Sequence, residues 1–287
     1  MLSNWKSIAI MLGSHQSDMS HSIRYAARLA SQCDAHLIAV FNVGDLPNLS
    51  SYGNYAIGKT AIDSVIAHRR TQEETAAREA GELIANLARQ YGVSAEFRVV
   101  WNWQSDNHPT LHSLHSDLVI VEHAQASQMP DALNPETIAM ETGVPVLILP
   151  QGWTPTDGTE AIDTILVAWN GSREARRAVA DAMPFLTAAT QVHLLIVDGE
   201  TETGVQSSAP GADVAHYLAR HKVPVDIDLQ PSYSRPINEV IVSRARQLKA
   251  DLVVIGAYSS GRTAQRFFGG VTRSLLAHAP VPLLISH

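Results

Sequence analysis

The chain has 287 residues, 45% hydrophobic and 17% charged, with a net charge of −7 and a single cysteine, Cys33. That length suits about two domains of ~150 residues, and the acidic balance argues against a nucleic-acid or anionic-membrane partner, which a basic surface would attract. One cysteine makes no internal disulfide, which fits a reducing cytoplasm, and no apolar run nears the ~20 residues of a membrane span.

The N-terminus carries one Lys and a short apolar run that turns polar, so it reads as a first strand, not a signal peptide. The apolar run Ser7–Leu12 suits a strand buried on both faces. Helical spacing of Ile23, Ala26, Ala27 and Ala30 marks a helix over Ser20–Gln32. Strand two is Ala35–Val43. A Gly/Asn/Ser-rich loop over Leu46–Gly58 leads into a long helix, Thr60–Tyr91, ended by Gly92. Strands three, four and five are Ala95–Trp101, Asp117–Val121 and Val144–Leu149, with room for a short helix at Pro109–His115. A Pro/Gly/Thr linker spans Pro150–Glu160. Strand and helix then alternate again: strand Thr164–Ala168, helix Arg173–Thr187, strand Gln191–Val197, helix Ala212–His221, strand Val225–Leu229, helix Ile237–Lys249 and strand Leu252–Ile255. A helix opening at Gly269-Gly270 and a last strand, Val281–Ile285, complete the chain.

The two halves are copies. At an offset of 157, Ile8–Ile10 lies over Ile165–Val167 and Leu37–Val40 over Leu194–Val197. The offset falls to 134 for Asp117–Val121 over Asp251–Ile255, so the first copy carries 23 extra residues in its middle. It is 137 for Val144–Ile148 over Val281–Ile285. Alternating β and α elements imply, in each copy, a five-stranded parallel sheet with helices on both faces. Ligands of such sheets sit beyond the carboxyl ends of the strands, so the tips at Ala168-Trp169-Asn170 and Gly256 should be neighbours. Strand five of each copy is an edge at which the copies can pair, imitating a homodimer within one chain.

Gly256, a loop of small and basic residues, and the glycine pair before the last helix offer free backbone N–H groups of the kind that bind anions. With both copies in view, the chain resembles the universal stress protein (UspA) family in tandem form, two Rossmann-like domains over 1–150 and 163–287 joined by 151–162. Nucleotide-binding members of that family carry Gly-x2-Gly-x9-Gly-(Ser/Thr) after strand four and an Asp after strand one. Here the spacing is kept from Gly256 to Gly269, but Ser259 stands at the second Gly, Gly270 at the Ser/Thr and Asn170 at the Asp. The resemblance implies a stress-response protein, with ATP or AMP held in the second copy by Ala168, Trp169, Asn170, Val197, Gly256, Ser259, Gly269, Gly270, Val271 and Thr272. Arg262, Arg266 and Arg273 flank that loop and offer charge to a phosphate. An unidentified protein partner would read the bound state. The alternatives are a nucleotide-free scaffold and a slow ATPase.

The first copy has Glu122 where the second has Gly256. It has no Asp or Asn after strand one, and Pro130 and Pro135 remove donors, so it reads as degenerate for nucleotide. His108, His112 and His115, with Asp106 and Asp117 nearby, have the spacing of a metal cluster on one helical face, set against a plain polar helix start. Asp117 and Asp251 each open a strand, where capping is the better reading. Trp101, Trp103 and Tyr91 suit core or subunit contact. No P-loop, dinucleotide fingerprint or nucleophile elbow occurs.

Overall fold

The computed structural model describes residues 5–13, 18–43, 59–101, 109–123, 133–153, 161–199, 211–257 and 270–287. The first copy runs β1 (Ser7–Gly13), α1 (Ser20–Cys33), β2 (His36–Val43), α2 (Lys59–Tyr91), β3 (Ala95–Trp101), a 3-10 turn (Pro109–Ser113), β4 (Leu118–His123), α3 (Pro135–Thr142) and β5 (Val146–Pro150). The second runs β6 (Thr164–Ala168), α4 (Arg173–Asp181), α5 (Met183–Ala188), β7 (Gln191–Val197), α6 (Ala212–Arg220), β8 (Val225–Gln230), α7 (Ile237–Leu248), β9 (Leu252–Gly256), α8 (Gly270–His278) and β10 (Leu283–Ser286).

All ten strands form one sheet, ordered β3-β2-β1-β4-β5-β10-β9-β6-β7-β8. Each copy contributes five parallel strands in the same internal order, and the second is the first turned end for end. The copies join where β5 and β10 pair antiparallel, Leu283 opposite Ile148 and Ile285 opposite Val146. Those strands are apolar and buried on both faces, and each such side chain contributes ~1.5–3 kcal/mol. The junction is therefore a continuous core, as two pairing edge strands require.

Strand alternation sorts the core into two layers. Ile8, Ile10, Val167 and Leu194 face the layer covered by α1, α2, α4, α5 and α6, while Met11, Val121, Leu166 and Leu195 face α3, α7 and α8. Across the junction Trp5 meets Phe185 edge-on, ring centroids 4.8 Å apart. The extra residues of the first copy lie between β2 and β3, where α2 is 33 residues long against 9 for α6.

The aspartates that open the fourth strands have matching jobs. Asp117 Oδ2 accepts from the backbone N–H of Lys6 and Ser7, at 2.7 and 2.9 Å. Asp251 Oδ2 accepts from Asp163 and Thr164, at 3.0 and 2.9 Å. Each ties the start of its copy's first strand to its fourth.

Two expectations change. The single helix over Arg173–Thr187 is two, broken at Ala182. Pro184 has no N–H to give the Ala180 carbonyl, and the second helix starts its own ladder with the Leu186 N–H on the Ala182 carbonyl at 3.0 Å. A helix absent from the sequence reading, α3, is N-capped by Asn134, whose Oδ1 accepts from Glu136 N at 2.9 Å, and ends at Gly143 with φ 65°. Pro135 sits in its first turn, where an N–H has no intrahelical partner anyway, so it does not cost this segment a ladder bond.

Candidate functional site

The site builds from the order reversal between β6 and β9. These strands are parallel neighbours, Ala168 beside Ile255. The helix that follows β6 covers one face and the helix that follows β9 the other, so a crevice opens at their carboxyl tips. Ala168 and Trp169 are half-buried there, and Trp169 donates its backbone N–H to Leu195 O at 2.9 Å. Asn170 is exposed. Its Oδ1 accepts from Ser172 N at 3.1 Å, which closes the turn through Gly171 (φ 76°). Ser172 is buried and N-caps α4, its Oγ accepting from Ala175 N at 3.0 Å.

Gly256 meets that cap. A Cβ added to it would lie 2.3 Å from Ala175 N and 2.4 Å from the Glu174 carbonyl carbon. The first turn of α4 can rest on the tip of β9 only because the residue there has no side chain. This is a packing reason for the glycine, beside any ligand. Val197, half-buried, ends β7. The next residue, Asp198, adopts φ 59°, and its Oδ1 accepts from Ser232 N at 2.7 Å, which lowers its carboxyl pKa.

On the opposite face α8 begins at Gly270, where a Cβ would meet nothing within 4 Å. Val271 is exposed and Thr272 buried. Ser259 and Gly269, with Arg262 and Arg266, lie outside the described residues. Arg273, expected beside the phosphate loop, instead places Nε 3.7 Å from Glu136 Oε1 of α3. It is turned toward the first copy. Burial raises the Glu136 carboxyl pKa and Arg273 lowers it in part. Alignment of the copies at offset 137 puts Arg273 over Glu136 and was the available sequence signal for this contact.

In the first copy Glu122 stands at the position of Gly256, in a cavity of about 110 Å³ lined by Asp18, His21, Ser22, Tyr25 and Trp153 among others. Burial raises its pKa, opposed by hydrogen bonds from the Ser22 hydroxyl and Gly152 N–H. An internal carboxylate thus occupies the end of α1, where the second copy has only backbone.

His108 and Asp106 lie outside the described residues, and no group of three metal-ligating side chains occurs among those described. The His112 ring lies 3.4 Å from an Arg98 nitrogen, and burial and that cation lower its pKa. Asp117 is committed to the strand start. Tyr91 and Trp101 pack against the helix-covered core, and Trp103 is outside the described residues. Cys33 is buried, its thiol pushed up to about 11. Among the described residues no helix is long and apolar enough to cross a membrane.

The fold and the crevice define a class: a duplicated parallel α/β protein with its copies fused through their fifth strands. Residues 232–287 match the Universal stress protein family. The structure is similar to that of a universal stress protein from Archaeoglobus fulgidus DSM 4304, at 16% identity and TM-score 0.64, covering 97% of both chains. It is also similar to a functionally unknown protein from Pseudomonas aeruginosa PAO1, at 16% identity and TM-score 0.59, covering 98% of this chain and 92% of that one. A search of curated proteins gives no match. Residues 232–287 thus match that family in sequence, and over nearly its whole length the chain shares the fold of these solved structures.

Proposed function

We propose that this stress-response chain binds an adenine nucleotide, ATP or AMP, in its second copy and passes the bound state to a protein partner through a change of shape. The two units are 1–150 and 163–287, joined by 151–162. The observation that carries the reading is the adjacency of the Ala168–Asn170 tip and Gly256 at the order reversal, with Val197 on the next strand. The Asn170 amide nitrogen is a donor for a base or ribose, its oxygen being held by Ser172. The start of α8 supplies backbone N–H groups to phosphate.

One observation favours the nucleotide-free scaffold as a second reading. The contact of Gly256 with Ala175 accounts for that glycine with no ligand present, and Arg273 is engaged by Glu136.

Small-molecule extraction from the purified full chain, followed by calorimetric titration with ATP and AMP, separates the two. Bound nucleotide, or heat that Asn170→Ala weakens, supports the site. An empty extract and no heat at millimolar nucleotide leave the scaffold.

A further inference from the structure

A cavity of about 440 Å³ lies between the two copies, at the amino end of β6. Its walls come from the second half of α1 (Tyr25, Arg28, Leu29), from Ile162 and Asp163 directly before β6, and from Phe185 of α5. Tyr25, Leu29 and Phe185 are buried and Ile162 is half-buried, so the floor is apolar. Small-molecule sites have this size and this make-up, an apolar floor with a few placed polar groups.

The symmetry of the junction accounts for the open space. Asp117 and Asp251 hold Lys6 and Asp163 in the same place of their copies, each accepting from that residue's backbone N–H. The residues just before them, Trp5 and Ile162, are therefore counterparts. Trp5 is buried and crosses the junction to meet Phe185 of the second copy. Ile162 stands reciprocally beside α1 of the first copy, with a branched aliphatic side chain where its counterpart has an indole. The room that an aromatic ring fills on one side of the axis is open on the other.

Two charged groups of opposite sign stand on the walls. Arg28 is half-buried, and the planar fork of N–H donors on a guanidinium suits a carboxylate. Asp163 is fixed through its backbone, its carbonyl accepting from Thr190 and Gln191 N–H at 2.9 and 3.0 Å. Its exposed carboxylate takes no hydrogen bond or ion pair among the described residues. In the first copy the counterpart Lys6 places Nζ 3.0 Å from Asp34 Oδ2.

We infer that this cavity binds an aromatic α-amino acid, its ring on Tyr25, Leu29 and Phe185, its carboxylate on Arg28 and its ammonium on Asp163. Such a ligand touches both copies and stabilises their junction by mass action. Asp163 and the Ala168–Asn170 tip lie at opposite ends of β6, so the inference stands without the nucleotide reading.

The test titrates the full chain with L-tryptophan and L-phenylalanine, and with tryptamine and indole-3-propionate, which each lack one charged group. Calorimetric heat and ligand-induced Tm shift are read. At least one amino acid is expected to bind by millimolar concentration, more tightly than either singly charged probe. Arg28→Gln and Asp163→Asn should each weaken it roughly tenfold or more, the loss of one charged hydrogen bond, while Asn170→Ala leaves it unchanged. Ile162→Trp installs the ring that Trp5 supplies opposite. It should abolish binding and leave the ligand-free Tm at or above the parent's. Two silent amino acids, equal binding of a singly charged probe, or binding that survives Arg28→Gln, Asp163→Asn or Ile162→Trp would each overturn the assignment. So would binding lost in Asn170→Ala, which would place the ligand at the other end of β6. A clear drop in Tm for ligand-free Ile162→Trp would overturn it too, because the cavity would then have no room for a ring.

Discussion

Arg273 and Glu136 occupy the same position in the two copies, 137 residues apart, and meet each other across the junction with Nε and Oε1 3.7 Å apart. They flank the axis that relates the copies. In a symmetric pair of identical copies, a residue there would face its own twin and carry a like charge. Duplication lets the position diverge into opposite charges, which favours pairing first copy with second over pairing either with itself.

Charge reversal tests this. Arg273 is half exposed and Glu136 one-fifth exposed, so the pair is worth only about 0.5–1 kcal/mol. Arg273→Glu is expected to lower unfolding stability by roughly that amount or somewhat more, from like-charge repulsion. The double exchange Glu136→Arg/Arg273→Glu should recover most of it in a urea double-mutant cycle. Full additivity of the two single changes would show that the groups do not interact.

The two glycines bordering the second-copy loop should differ sharply. Gly256→Ala forces a methyl against the Ala175 and Glu174 backbone, and a backbone cannot swing aside as a side-chain end can. Overpacking of this kind costs ~1–3 kcal/mol or more. Gly270→Ala meets open space in the first turn of a helix and should be neutral or stabilising by up to ~1 kcal/mol. Thermal unfolding of both variants gives the comparison. It also shows why loss of nucleotide binding in a Gly256 variant would not by itself locate the ligand.

Much of this fold is legible in the sequence because the strands are buried on both faces and so appear as unbroken apolar runs, Ser7–Gly13 and Gln191–Val197 among them. The junction at β5 and β10 follows from having two apolar edge strands in one chain. Helix α3 escaped the sequence reading: Asn134-Pro135-Glu136 and Gly143 mark its ends, but its few apolar residues obscure the period. What sequence cannot supply is relation across space. Gly256 looks like a phosphate-loop glycine until the first turn of α4 is seen resting on it. Arg273 looks like a loop cation until Glu136 is seen opposite.

Glu122 gives a pH test with a definite sign. Burial raises its folded-state pKa above the ordinary 4.5. A group shifted upward adds stability that is fully present below its unfolded value and is lost as pH rises through the folded value. At neutral pH the charged carboxylate is therefore a net cost in the folded chain. Glu122→Gln keeps an oxygen to accept from Gly152 N–H and removes the charge. It is expected to be more stable than the parent at pH 7, with the difference vanishing below about pH 4. A denaturation series across pH in both proteins measures this, and a variant less stable at pH 7 would mean that the Ser22 and Gly152 hydrogen bonds outweigh desolvation.

The departures of the second-copy loop from the universal stress protein pattern predict gains of function. Gly270 occupies the place of a hydroxyl residue, and the open space around it leaves room for one. Gly270→Ser should add one hydrogen bond to a phosphate oxygen. Bonds to charged groups are worth ~1.5–3 kcal/mol, so ATP affinity is expected to rise roughly tenfold or more, with little change in Tm. Asn170→Asp keeps the oxygen that accepts from Ser172 N, so the turn into α4 should survive. It also exchanges the amide donor for a carboxylate that accepts from ribose hydroxyls or the adenine amino group. Calorimetry of the two single variants and the double variant should show additive tightening, because the residues would touch opposite ends of one nucleotide. If neither variant binds ATP or AMP more tightly than the parent, the crevice between β6 and β9 is not a nucleotide site, and its glycine serves the packing of α4.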